Sequence, residues 1–460
     1  MRPIRRVLIA NRGEIALRVI RACRKLGLEC VVATTPADRD SLAAELADRA
    51  VCIGGNRPAE SYLRVEAIVS AAIGTHCDAV HPGYGFLSES PALARACADT
   101  GLRFVGPRRE LLETFGDKVA ARAAAEAAGL PTARGSGPLA TAEEAASCAR
   151  DVGFPLLLKA VAGGGGRGLR LIEDASQLAL EFSAASAEAA AAFGDSRLYL
   201  ESFVPFARHV EVQIASDGQG ATVHFGDRDC SIQRRNQKLI EEAPAPFLAA
   251  HLQQAIRDAA VRLMRTVNYD GLGTVEFIVD PARDAFYFLE VNPRLQVEHG
   301  ITELVTGWDL VALQLALAAG TAAPPLQREV EVRGSAIECR INAEDPTRNF
   351  QPSPGRVSSL QLPGGPGVRV DSSLRVGSAV PPFYDSLVMK VMAHGRTRAE
   401  AIAVLAGALR ELRIGGITTT AGLQARILAS TAFAAGAYST RWLEEHSGLV
   451  AASTNGGWSG

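Results

Sequence analysis

A short apolar run at residues 7–10, apolar positions at helical spacing over 15–26 closed by Gly27, and a second short run at 30–34 predict a β-α-β unit. Its turn, Asn11-Arg12-Gly13-Glu14, lacks the G-x-G-x-x-G that lets backbone approach a dinucleotide pyrophosphate. The unit is therefore expected to be scaffold, not a nicotinamide or flavin site. Residues 79–81 lead into Pro82-Gly83-Tyr84-Gly85-Phe86, a glycine turn that either presents Tyr84 to a ligand or simply packs.

An alanine-rich helix is expected over 119–128, closed by Gly129 and Pro131. A small lobe follows to about residue 203: helix 142–151, strand 156–160, a glycine loop, strand 169–172, an Ala-rich helix and strand 198–201. From residue 210 the pattern reads as a run of strands to 291. Beyond an Ala- and Pro-rich stretch at 321–327, strands from 330 give way to helices at 399–412 and 421–430. These shifts divide the chain into domains at 1–115, 116–328 (lobe at about 132–203) and 329–450, with a flexible tail at 451–460.

Within 290–298 (EVNPRLQVE) five polar residues, Glu290, Asn292, Arg294, Gln296 and Glu298, alternate with apolar ones. A strand with one wet face produces the same alternation, but all five types bind ions or oxyanions. Glu290 and Asn292 suit a hard, phosphate-bound cation, while Arg294, Gln296 and Glu298 suit gripping and deprotonating a small oxyanion. Fully extended, the run would span roughly 26 Å, too far for one site, so the strand is expected to bend near Pro293. A hairpin centred near Arg283 would also set Glu276 opposite Glu290, where two carboxylates repel unless a divalent cation lies between them.

Lys159 precedes Gly163-Gly164-Gly165-Gly166-Arg167-Gly168 between two strands. A Walker A loop would run from strand to helix and end in Gly-Lys-Ser or Gly-Lys-Thr, so this loop reads instead as a flap closing over phosphates. Strand 209–214 puts His209, Glu211 and Gln213 on one face, and Gln233, Arg234, Arg235, Asn236 and Lys238 crowd anion-binding groups into one short stretch. With 48 basic against 50 acidic residues, the chain has no electrostatic footprint for nucleic acid or an anionic membrane. Its eight scattered cysteines and lack of a long apolar span lead to the expectation of a soluble, cytoplasmic protein with reduced thiols.

Taken in order, the runs IANRGEIALR (9–18), HPGYGFLSE (81–89), GDKV (116–119), the Lys159 glycine loop, RDCSIQRRNQK (228–238), EVNPRLQVEH (290–299), ECRINAED (338–345) and Tyr384-Asp385-Ser386 resemble the biotin carboxylase component of biotin-dependent carboxylases, in the ATP-grasp superfamily. The likeness covers about residues 4–446. It implies an α/β and α+β multidomain architecture: a Rossmann-like N-terminal domain, an ATP-grasp central domain with a glycine-loop lid, and a mixed α+β C-terminal domain. By carry-over, Lys118, Lys159, Gly165, Gly166, Glu201, Val204, His209, Gln233 and Asn236 line the ATP site together with Glu276 and Glu290. Glu276, Glu290 and Asn292 hold Mg²⁺, for which Mn²⁺ can stand in, and Lys238, Arg294, Gln296, Val297 and Glu298 surround bicarbonate. Tyr84, Arg340 and Asp385 belong at the biotin end.

The activity implied is ATP-dependent carboxylation of biotin through carboxyphosphate, with Glu298, Arg294, Arg340 and Lys238 as catalytic groups. This is the first half-reaction of enzymes such as acetyl-CoA carboxylase in fatty acid biosynthesis. The chain carries no Ala-Met-Lys-Met biotinylation sequence, so biotin is expected on a separate carrier protein, with a carboxyltransferase subunit as further partner and a homodimer as assembly. Set against the family pattern, Asn236 stands in place of His, Ala162 in place of Gly, Pro293 in place of Thr and Gly300 in place of Pro. Another ATP-grasp ligase, or a catalytically silent nucleotide-binding subunit, are the competing readings.

Overall fold

Strand Arg6–Ile9 pairs in parallel with Glu29–Thr34 on one side and Ala79–His81 on the other, and Arg49–Cys52 and Arg103–Phe104 complete a five-stranded sheet. The computed structural model describes residues 3–162 and 169–451. The expected flap residues Gly165 and Gly166, and the tail from 452, lie outside the described residues.

The strand order reverses between Arg6–Ile9 and Ala79–His81, so the loops leaving their carboxyl ends diverge and open a crevice. Asn11 ties the two loops together, its Nδ2 donating to the carbonyls of Pro82 and Tyr84, each at 2.7 Å. Both loops line the main cavity of the molecule. The N-terminal unit is therefore more than scaffold: without a dinucleotide fingerprint, its switch point still offers Arg12, Glu14 and Tyr84 to that cavity.

Helix Lys118–Ala127 begins where the Asp117 carboxylate accepts from the backbone N–H groups of Val119 and Ala120, both at 2.8 Å. This cap fixes Lys118 in the first turn, facing the cavity. The lobe that follows is a three-stranded antiparallel sheet, Leu169–Ile172, Leu156–Ala160 and Leu198–Ser202, with helices Ala142–Val152 and Ala175–Phe193 packed on it. A capping box between Thr141 and Glu144 starts the first of those helices.

The segment read from sequence as continuous strands contains a helix, Ala250–Thr266. Its buried Leu252, Ile256, Ala259, Ala260, Leu263 and Met264 recur at three- and four-residue spacing, a helical period that the flanking strand patterns obscured. They pack against Val210, Val212, Ile214, Val275 and Phe277 of strands Arg208–Asp217 and Asp270–Asp280. Because side chains alternate along a strand, His209, Glu211, Gln213 and Glu276 point to the opposite face.

Those strands belong to an eight-stranded antiparallel sheet that does not stop at residue 328. Ser335–Asn342 pairs with Gln237–Ala243, and Leu387–Gly395 and Val368–Ser372 extend it further. The C-terminal region thus completes the central sheet and brings Arg340 beside the strand that carries Lys238.

Phe277 has no solvent exposure and meets Phe286 edge-on at 5.5 Å between ring centroids. Phe277→Ala is expected to cost about 3–5 kcal/mol through the cavity it leaves, read as a lowered urea midpoint; an unchanged midpoint would contradict this packing.

Candidate functional site

The hairpin of Asp270–Asp280 and Ala285–Asn292 places Glu276 directly opposite Glu290. Its tip pairs Asp280 with Ala285, so the turn is centred half a residue before Arg283; a bulge between Glu276 and Phe277 takes up the difference. The strand ends at Asn292, Pro293 contributes no N–H to a ladder, and a helix starts at His299. The chain therefore folds back as expected. Gln296 Nε2 donates to Glu276 Oε1 at 2.9 Å, and the same oxygen accepts from Asn292 Nδ2 at 2.8 Å and Lys238 Nζ at 2.9 Å.

Lys238 sits two residues past the tight turn at Arg235 and Asn236, whose φ angles of 48° and 63° are both left-handed. Asn tolerates this conformation better than most side chains, which gives a backbone reason for Asn at 236. The Lys238 ammonium donates to Glu211 Oε2 at 2.6 Å, to Glu276 and to Glu298 Oε1 at 2.8 Å. Burial works against its charge, but these carboxylates hold its pKa well above the ordinary lysine value. Glu298 has no solvent exposure, and its second oxygen accepts from Arg340 Nη2 at 2.9 Å. Burial pushes the Glu298 carboxyl up, yet Lys238, Arg340 and Arg228 overcome it and hold the group well below the usual range. Glu298 does not itself line the cavity; Lys238 and Arg340 do, so an entering anion meets them first.

Four residues with no role assigned from sequence complete this centre. Glu211 accepts from Lys238 and, at 2.5 Å, from Arg228 Nε; Arg228 is fully buried and also donates to Gln213 and Thr302. Glu241 accepts from Arg340 Nε at 2.5 Å, and burial pushes its carboxyl up to about 7 despite that partner. Glu89 lies 2.9 Å from Arg294 Nε. The alternation at 209–213 did put Glu211 on the right face, but only register separates a charged interior face from a wet one.

A cavity of about 1180 Å³ runs from this centre to the small lobe and is bordered by all three parts of the chain. Lys118, Lys159, Glu201, Val204, His209, Gln233, Asn236, Glu290, Arg294, Gln296 and Val297 line it, as do Tyr84, Arg340 and Asp385. Lys159 and Glu201 form an ion pair across adjacent strands. Burial lowers the Lys118 pKa. Against burial, Glu276 raises that of His209, whose Nε2 stands 2.6 Å from Glu276 Oε2. The Tyr84 hydroxyl is buried and, among the described residues, has no hydrogen-bond partner. Asp385 is tied locally, accepting from the Leu387 N–H at 2.8 Å.

Glu276, Glu290 and Asn292 bring side-chain oxygens together that could hold a divalent cation. Burial and the facing Glu276 push Glu290 up, a repulsion that a cation would relieve. Asn292 now donates to both carboxylates, so ligation requires its amide to turn. Two other groupings, His209-Glu211-Glu276 and Glu211-Cys230-Glu298, hold ligand atoms within 4.8 Å, but the Lys238 ammonium already contacts their carboxylates. A Cβ on Gly300 would lie 2.4 Å from Met392 Sδ, so a larger residue here requires Met392 to move.

Residues 3–112 match the biotin carboxylase N-terminal domain, 117–325 the ATP-binding domain of the carbamoyl-phosphate synthase L chain, and 338–445 the biotin carboxylase C-terminal domain. The chain is 47% identical to the biotin carboxylase of Nostoc sp., covering 96% of this chain and 98% of that one. It is also 47% identical to biotin carboxylase 1 of Bacillus subtilis, covering 96% and 99%. Among solved structures, the biotin carboxylase domain dimer of Hydrogenobacter thermophilus 2-oxoglutarate carboxylase, in complex with MgADP, ADP and bicarbonate, superposes with a TM-score of 0.94 at 40% identity, over 98% and 99% of the two chains. With three matched regions in order along one chain, and relatives this similar over nearly its full length, the chain belongs to the biotin carboxylase family of ATP-grasp ligases.

Proposed function

We propose that this chain binds ATP, Mg²⁺ and bicarbonate and carboxylates biotin presented on a separate carrier protein. The observation that carries the reading is the double grip on Glu298, by Lys238 on one oxygen and Arg340 on the other, at the edge of a cavity that continues to Lys118 and Lys159. Bicarbonate is a poor nucleophile. Entering beside Lys238, Arg294 and Gln296, it would take over part of the charge those groups now share with glutamates and give up its proton to Glu298. Lys118, Lys159 and His209 would hold the nucleotide phosphates at the far end. A divalent cation on Glu276, Glu290 and Asn292, Mg²⁺ or in its place Mn²⁺, would spread the charge of the transferring phosphoryl group.

The carboxyphosphate so formed would release CO₂ and phosphate near the biotin ring, and that phosphate would take the proton of biotin N1 as N1 bonds to the CO₂ carbon. Arg340, freed from Glu298 as that carboxylate turns to bicarbonate, would stabilise the developing ureido oxyanion. Tyr84, whose buried hydroxyl lacks a partner among the described residues, and Asp385 would border the ring. Glu201 and Val204, with Gln233 and Asn236 from the neighbouring hairpin, would border the nucleotide, and Gly165 and Gly166 would close over its phosphates.

We further place the chain in the cytoplasm, as a homodimer working with a biotin carrier protein and a carboxyltransferase. Two observations are compatible with that setting. The eight cysteines are all free thiols, and among the described residues no single helix is long and apolar enough to cross a membrane.

ATP cleavage by the purified chain is expected to depend on bicarbonate and to rise with free biotin; cleavage indifferent to biotin would sink the reading. Lys238→Gln leaves Glu211, Glu276 and Glu298 without their shared cation and should lower carboxylation by about 100-fold or more. Without that cation the Glu298 pKa rises, so the acidic limb of the residual rate should move to higher pH. Wild-type kinetics would remove Lys238 from the site. Arg340→Ala is expected to impair biotin carboxylation more than bicarbonate-dependent ATP cleavage, and equal losses in the two assays would contradict its role.

A further inference from the structure

Two buried side chains hold the segment carrying Val297 and Glu298 from beneath, and neither lines the cavity. Lys390, fully buried on strand Leu387–Gly395, lies directly opposite Arg340 in the sheet, so both side chains rise from the same face. Arg340 reaches the Glu298 carboxylate, while Lys390 Nζ donates to the Val297 carbonyl at 2.8 Å. His299 grips the preceding peptide. Its Nδ1 stands 2.8 Å from the Gln296 carbonyl oxygen, which can only accept, so the proton sits on Nδ1. His299 Nε2 is then a bare, buried acceptor, and among the described residues it has no hydrogen-bond partner.

We infer that Lys390 and His299 are positioning residues for bicarbonate: by anchoring the carbonyls of Val297 and Gln296, they fix the two peptide planes that flank Val297. In a trans peptide the N–H points opposite to the C=O. Anchoring the Gln296 carbonyl on His299 therefore turns the Val297 N–H away from His299. Anchoring the Val297 carbonyl on Lys390 sets the direction in which the chain enters Glu298. This deepens the function proposed above and rests on it.

The surroundings of Lys390 argue against a role in packing alone. Its counter-ions Glu14 and Asp371 stand at 3.5 and 3.7 Å, and among the described residues neither Glu14 nor the neighbouring Glu338 has a hydrogen-bond partner for either carboxylate oxygen. A buried charge with such loose pairing is costly compared with an apolar side chain of similar size. Among the described residues, the one short contact of Lys390 is with the Val297 carbonyl. Burial would lower its pKa, but Glu14, Glu338 and Asp371 keep the ammonium charged; burial and the charge of Lys390 in turn hold the His299 pKa well below its ordinary value, so the ring is neutral.

The test measures bicarbonate-dependent ATP cleavage by full-length wild type, Lys390→Met and His299→Phe, with separate KM values for bicarbonate and ATP. Both variants are expected to raise the bicarbonate KM by roughly tenfold or more, leaving the ATP KM and ADP affinity within about twofold of wild type. His299→Phe exchanges one neutral buried ring for another, so it decides the matter if Lys390→Met fails to fold. An unchanged bicarbonate KM in folded His299→Phe overturns the inference, as does a parallel rise in the ATP KM, the mark of general damage. A wild-type chain with no bicarbonate-dependent cleavage overturns the parent function and this inference together.

Discussion

One ammonium group organises the centre of this molecule. Lys238 donates to Glu211, Glu276 and Glu298, carboxylates that come from three separate stretches of chain and would repel one another if buried alone. A buried charge is tolerated only where its partners are well placed, so the strand register, the fold-back after Asn292 and the placement of the C-terminal sheet are all constrained by this one contact set. The same grip poises the site. Glu276 and Glu298 are held below the usual carboxylate range by cations that an incoming oxyanion can share, whereas burial and the charge of Glu298 push Glu211 up.

Register is the means by which distant residues meet. The bulge beside Glu276 opposes it to Glu290, and continuation of the central sheet into Ser335–Asn342 and Leu387–Gly395 brings Arg340 and Lys390 beneath the Glu298 segment. The sheet runs from the central region into the C-terminal one through backbone hydrogen bonds, so both regions share one framework. Meanwhile the N-terminal switch point closes the third side of the cavity, with Asn11 tying the Tyr84 loop to the first turn.

Much of this was legible in the chain before any coordinates. The alternation at 290–298, the break at Pro293 and the opposition of Glu276 and Glu290 follow from strand period and hairpin arithmetic, which are local rules. Glu241 and Arg228 were not legible as parts of the site, because a charged residue within a strand pattern looks the same whether it meets water or a buried partner. Helix Ala250–Thr266 was missed for a different reason: its helical spacing lies between two strand-rich stretches and was absorbed into them.

The sequence by itself determined the family, the elements of the small lobe, and most of the polar groups that line the cavity, since motifs and periodicity are properties of neighbouring residues. Tertiary structure alone decided that Glu298 is sealed behind Lys238 and Arg340, and that Lys390 and His299 grip the peptides on either side of Val297. Those facts depend on which strands lie side by side and in what register, and burial and long-range pairing are set by the whole fold and not by any stretch of it.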